Sequence, residues 1–86
     1  MGRNSRRDKT EILRDRLQLE DTRLLFQIDE AAWVIESMSA GKIYSPSGAK
    51  AVQRLDALTN AEERLSEAIE YLNRIINLNS ELSEAN

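Results

Sequence analysis

Two of the chain's three glycines and its only proline fall between positions 41 and 48, inside the stretch S39-A-G-K-I-Y-S-P-S-G-A-K50. Glycine commonly stands just past the end of a helix, and proline is tolerated in a helix mainly in its first turn. A chain punctuated once, near its middle, has room for two long elements and one corner.

Both flanking runs have helical periodicity. In the first, from about Asp8 to Ala40, Leu17, Leu24, Ala31 and Met38 recur every seven residues, and Ile28, Val34 and Ile35 widen the stripe. Asp8 suits an N-cap, with Glu11 three residues on as its capping-box partner. Gly41 stands where a C′ residue is expected, and Lys42 follows near the negative end of the helix. Thirty-three helical residues would span about 50 Å. The second run starts at Ser45-Pro46, which reads as N-cap and first helical residue. Its stripe is Val52, Leu55, Leu58, Ala61, Leu65, Ile69, Leu72 and Ile76, in steps of three and four that hold one helical face. Glu70 and Arg74 are spaced for an ion pair on its outside.

Two amphipathic helices joined by a short linker bury their stripes by folding back on each other. The expected fold is therefore mostly α: one small domain over 1–86, with antiparallel helices at about 8–40 and 46–78. A basic arm at 1–7 precedes them, and a polar tail at 79–86 follows and frays. The corner has two readings. Thr59-Asn60-Ala61-Glu62 is a second capping box, and a helix starting there would free residues 42–57 for a small β-hairpin with Ile43, Tyr44 and Val52 as strand residues. The unbroken stripe from Val52 to Ile76 favours one long helix.

The first helix carries a second apolar row. Ile12, Leu19, Phe26 and Trp33 are also seven apart, the last three lying two residues after Leu17, Leu24 and Ala31. Two residues turn a helix by about 200°, so this row lies on the opposite face. It holds the chain's only Trp and only Phe. Arg16, Arg23 and Glu30 flank it on one side, and Asp15, Thr22, Asp29 and Glu36 on the other. A single hairpin covers one face of each helix, so this row reads as a seam for another protein. The outer face of the second helix (Gln53, Asp56, Asn60, Glu63, Glu67, Glu70 and Arg74) reads as solvated, with no second row.

Composition removes much chemistry. Eighty-six residues without cysteine exclude disulfides and thiolate metal sites, and the absence of histidine removes the commonest general base and the Ser-His nucleophile. The glycines of G41-K-I-Y-S-P-S-G-A-K50 are seven apart and Ala follows Lys50, so this is not a phosphate-binding loop. Glu62-Glu63 and Glu67 have the pattern of solvated helix carboxylates. No enzyme, cofactor or metal is expected. A core this small often needs association to be stable. The net charge of −3 implies no polyanion partner for the whole chain. It is uneven, however: Arg3, Arg6, Arg7 and Lys9 make a basic start suited to docking on an acidic neighbour, and the half from Tyr44 onward is acidic. With no apolar run near the ~20 residues of a membrane span and no signal-like start, the chain is expected to be soluble and cytoplasmic in origin.

Gly41, Tyr44, Gly48, Lys50, Val52, Arg54, Asp56 and Leu58 lie along the order found in the small head–tail joining proteins of tailed phages, with Ala49 inserted and Ala57 splitting the final pair. Over roughly residues 35–75 the chain resembles that family, the lambda W type. The resemblance implies a virion structural protein without catalysis. Such a subunit joins a homo-oligomeric ring between portal and tail-side proteins, with DNA passing through without sequence-specific binding. It also implies helix, compact turn or hairpin, then helix. In such a ring the acidic face of the second helix would line the channel.

The competing class is a cytoplasmic helical-hairpin chaperone or adaptor. Type III secretion needle co-chaperones are similar in size, in lacking cysteine and in their two antiparallel helices, and L65-S-E-A-I-E-Y-L-N-R-I-I-N-L78 suits their second helix. A nucleic-acid-binding hairpin dimer fits less well, because the second helix is acidic. The residues expected at an interface are Ile12, Leu19, Phe26, Trp33 and, at the corner, Tyr44; those expected to dock the arm are Arg3, Arg6 and Arg7.

Overall fold

The computed structural model describes residues 8–85 and consists of two long helices packed against each other as an extended hairpin. Helix α1 spans Lys9–Glu36, a single-turn helix α2 spans Ala40–Ile43, and α3 spans Pro46–Ala85. There is no strand among the described residues, so the β-hairpin reading of 42–57 gives way to the long helix. The arm at residues 1–7 lies outside the described residues.

Asp8 caps α1 as expected, and its Oδ1 accepts from the Thr10 amide at 3.2 Å. The end of α1 differs from expectation. The helix stops at Glu36 rather than Ala40, and Gly41 is not a C′ residue: it lies inside α2, and no glycine among the described residues has a positive φ. Serines terminate the helix instead. Ser37 is the C-cap, its amide donating to the carbonyls of Trp33 and Ile35, and its hydroxyl also donates to the Trp33 carbonyl at 2.8 Å. Ser39 then caps α2, its Oγ accepting from the Lys42 amide. Ser45 donates to the Lys42 carbonyl and accepts from the Gly48 amide, so one side chain closes α2 and opens α3. Pro46 is the first residue of α3, as the Ser-Pro pair predicts.

The glycine the corner requires is Gly48. A Cβ there would collide with the carbonyl oxygens of Lys42 and Ile43, whereas one at Gly41 would meet nothing within 4 Å. The carbonyl end of α2 packs directly on the first turn of α3, and only a residue without a side chain admits it.

Thr59 does not start a helix. Its hydroxyl donates to the Leu55 carbonyl at 2.9 Å, as a threonine does within a helix interior. At the other end, α3 continues through Ala85 instead of fraying near Asn77. Asn79 still reaches across the hairpin, its Nδ2 donating to the second carboxylate oxygen of Asp8 at 3.4 Å.

The core is a single seam along the hairpin. Ala31 of α1, 3% exposed, and Ile69 of α3, 9% exposed, are its buried apolar residues. Leu17, Leu24, Ile28 and Ile35 line α1, Met38 continues the row in the corner, and Leu55, Leu58, Leu65, Leu72 and Ile76 line α3, all half-buried. Val34, Val52 and Ala61, expected in this seam, are exposed. Each lies about 70° or more from the centre line of its stripe, at the edge that two packed cylinders leave open. Glu62 is half-buried where Ala61 was expected. The molecule measures 65 × 22 × 15 Å with a radius of gyration of 19.4 Å, against roughly 12 Å for a compact chain of this length. It is a rod one hairpin thick.

Candidate functional site

The structure leaves two features for function: polar groups set into the seam and apolar side chains left outside it. The seam's polar groups fix the register of the helices. Arg14 bridges them, its Nη1 donating to Asn73 Oδ1 at 2.8 Å while its Nε pairs with Asp15 at 2.8 Å. With the Asp8–Asn79 contact, this aligns the start of α1 with the end of α3.

Farther along, a carboxylate from each helix enters the same position. Asp21 and Glu62 are both half-buried, and Asp21 Oδ1 is shielded from water and accepts from no N–H or hydroxyl among the described residues. Two carboxylates are both acceptors, so they bond only when one carries a proton. The Glu62 carboxyl is accordingly held above its ordinary value, first by its hydrogen bond to Asp21, then by burial, then by the charges of Asp21 and Glu63. The sequence reading placed Glu62 among solvated carboxylates; the helix register brings it to the seam.

Outside the seam, the predicted row on α1 is exposed along its length. Ile12 and Leu19 are accessible, Phe26 is 72% exposed and Trp33 is 67% exposed. They stand on the face of α1 opposite Leu17, Leu24 and Ile28, where the seven-residue spacing puts them. Their charged neighbours share that surface; Arg23 pairs with Glu20 at 2.9 Å along the helix. Tyr44, the cap residue after α2, is 90% exposed and does not pack across the helix ends. Arg3, Arg6 and Arg7 lie outside the described residues.

The outer face of α3 is less polar than expected. Tyr71, Ile75, Leu78 and Leu82 are all exposed there. Arg74, expected to pair with Glu70, lies over the Tyr71 ring instead, its guanidinium carbon 5.2 Å from the ring centroid. The run Y71-x-x-x-I75-x-x-L78-x-x-x-L82 was readable in the sequence. The signal is weak because the inner stripe ends at Ile76 and the residues beyond it have the composition of a polar tail.

Among the described residues there is no pocket, no grouping of three or more carboxylates placed to hold a metal ion, and no helix long and apolar enough to cross a membrane. Comparison with family models, curated proteins and solved structures finds no match to this chain.

Proposed function

We propose that this chain is a non-catalytic assembly subunit and, more narrowly, a head–tail connector of a tailed phage that joins a ring on the portal. The observation that carries the assembly reading is the row Ile12, Leu19, Phe26 and Trp33, exposed on the side of α1 that the hairpin does not use. Single exposed apolar residues are ordinary, but four in register, with the only Trp and Phe among them, have the composition of an interface centre. Each such side chain gives roughly 1.5–3 kcal/mol when buried, and association itself costs several kcal/mol. One row thus sustains a weak contact that repetition in a ring strengthens. The narrower connector reading rests on the sequence resemblance around Gly41, Tyr44 and Gly48. The thin seam also supports an assembly role, because a hairpin this slender gains from a neighbour.

The test is sedimentation of the purified chain over a wide concentration range, alone and with a portal protein. A large closed ring, alone or on the portal, is the expected result. A monomer that forms only a one-to-one or one-to-two complex with a short client would replace the connector by the chaperone reading, with the α1 row as the client groove. Trp33→Asp is expected to keep near-normal helicity and to block assembly. If that variant unfolds, Trp33 belongs to the core and the assembly reading loses its basis.

A further inference from the structure

The outer face of α3 holds a pattern that α1 lacks. Tyr71, Ile75, Leu78 and Leu82 are spaced by four, three and four, the alternation of a two-position coiled-coil seam. The inner residues Leu65, Ile69, Leu72 and Ile76 repeat the same spacing six positions earlier, about a third of the way round the helix. The C-terminal half of α3 therefore carries two seams side by side. Helix α1 covers the inner one, and the outer one is exposed. The α1 row differs in kind: it has one apolar residue per seven, with Asp15, Thr22 and Asp29 on one flank and Arg16, Arg23 and Glu30 on the other. It has no second apolar position with which to interdigitate.

We infer that the outer α3 seam binds a second copy of this chain, antiparallel, through the same four residues. Run antiparallel about its midpoint, the seam is complementary to itself. Tyr71 meets Leu82 of the second copy, and Ile75 meets its Leu78. Arg74 and Glu81 occupy one flank of the seam, seven residues apart. In the antiparallel register like flanks face each other, so Arg74 meets Glu81 of the other copy, and the pair forms twice by symmetry. In the parallel register Arg74 faces the flank that holds Asn79 and gains no charged partner. The charge pattern thus selects both the occupant and its direction. Stacking on Tyr71 already holds Arg74 beside the seam in the single chain. Since α1 lies a third of a turn from this face, neither copy's α1 stands between the two α3 helices.

Four anchors on each side make a small interface, near the lower limit of about 1,200 Å² for stable specific contacts, so dimers form at micromolar and higher concentrations. This contact does not rest on the connector reading. It closes on itself as a pair and leaves the α1 rows free.

Sedimentation equilibrium of the full chain tests it, with circular dichroism as the check on folding. The expected result, read in the Trp33→Asp chain where the ring contact is removed, is a reversible monomer–dimer equilibrium. Leu78→Asp should weaken it at least about tenfold with helicity retained, as for a central interface anchor. Arg74→Glu alone and Glu81→Arg alone should each weaken it a few-fold, and the double reversal should return it to near the starting affinity. Should Leu78→Asp unfold, the charge reversals decide the matter alone, since both sites are exposed. A chain that stays monomeric to about 1 mM overturns the inference. So does a dimer indifferent to the charge reversals, or one dissolved by Trp33→Asp and not by Leu78→Asp. Loss of the ring in Trp33→Asp with retention of the dimer separates this contact from the ring contact.

Discussion

Asp21 and Glu62 face each other across the hairpin, and a hydrogen bond between them requires a proton on one of the two. Because the folded chain raises the Glu62 value, it binds that proton more tightly than the unfolded chain does. The resulting stabilisation is complete below the unfolded value of 4.5 and is lost as pH rises through the raised folded value. Near neutral pH the two charges oppose each other in the seam. Glu62→Gln, which donates to Asp21 at any pH, should raise the melting temperature at pH 7. It should also flatten the difference in melting temperature between pH 7 and pH 5 relative to the parent chain, measured by circular dichroism. A variant no more stable than the parent at pH 7 would show that the pair is solvated. Gly48 gives a second residue-scale test. Gly48→Ala should cost about 1–3 kcal/mol because α2's carbonyl oxygens occupy the space a methyl group needs. Gly41→Ala, in open space within α2, should be neutral or stabilising by up to ~1 kcal/mol in the same urea titration. Which glycine matters was not legible in the sequence. Gly41 has the position of a terminator after a long periodic run, but Ser37 caps α1 and Ser39 opens a new helix upstream of it, so Gly41 falls inside α2.

At the scale of the helices, long-range order was legible and edges were not. Asp8, Ser45 and Pro46 mark real helix starts because capping is local and each uses atoms within three residues. The inner stripe from Leu55 to Ile76 was correct in all but its marginal members, since a rotation of about 100° per residue fixes which side chains share a face. Val34, Val52 and Ala61 were misplaced because sequence alone does not say how wide a contact two cylinders make; here it is narrow enough to expose all three. Ile69→Ala should therefore cost roughly 2–5 kcal/mol. Val52→Ala should stay within about 0.5 kcal/mol. Equal losses in denaturant titrations would mean the seam is broader than the geometry indicates. The exposure of the α1 row was legible because its spacing and flanking charges both point away from the first stripe. The α3 row was missed because its last member, Leu82, lies among Asn, Ser and Glu, and composition suggested a tail where the cross-hairpin contact of Asn79 accompanies a continuing helix.

For the molecule as a whole, the feature with the widest reach is that the core is a line of contacts along a rod 65 Å long and 15 Å thin, with only Ala31 and Ile69 buried among the described apolar residues. Such a chain exposes little new apolar surface on unfolding. The heat capacity of unfolding scales with that surface, at about 12–15 cal/mol/K per residue for ordinary domains. Calorimetry of the isolated chain should give a value well below this range, and its stability curve should be correspondingly shallow. The chain would then lose little stability on cooling and unfold over a broad span of temperature rather than at a sharp point. If two copies join through α3, the buried seam adds to the surface exposed on melting. The transition should then sharpen and move upward as protein concentration rises, so the thermogram itself would report whether the rod works alone.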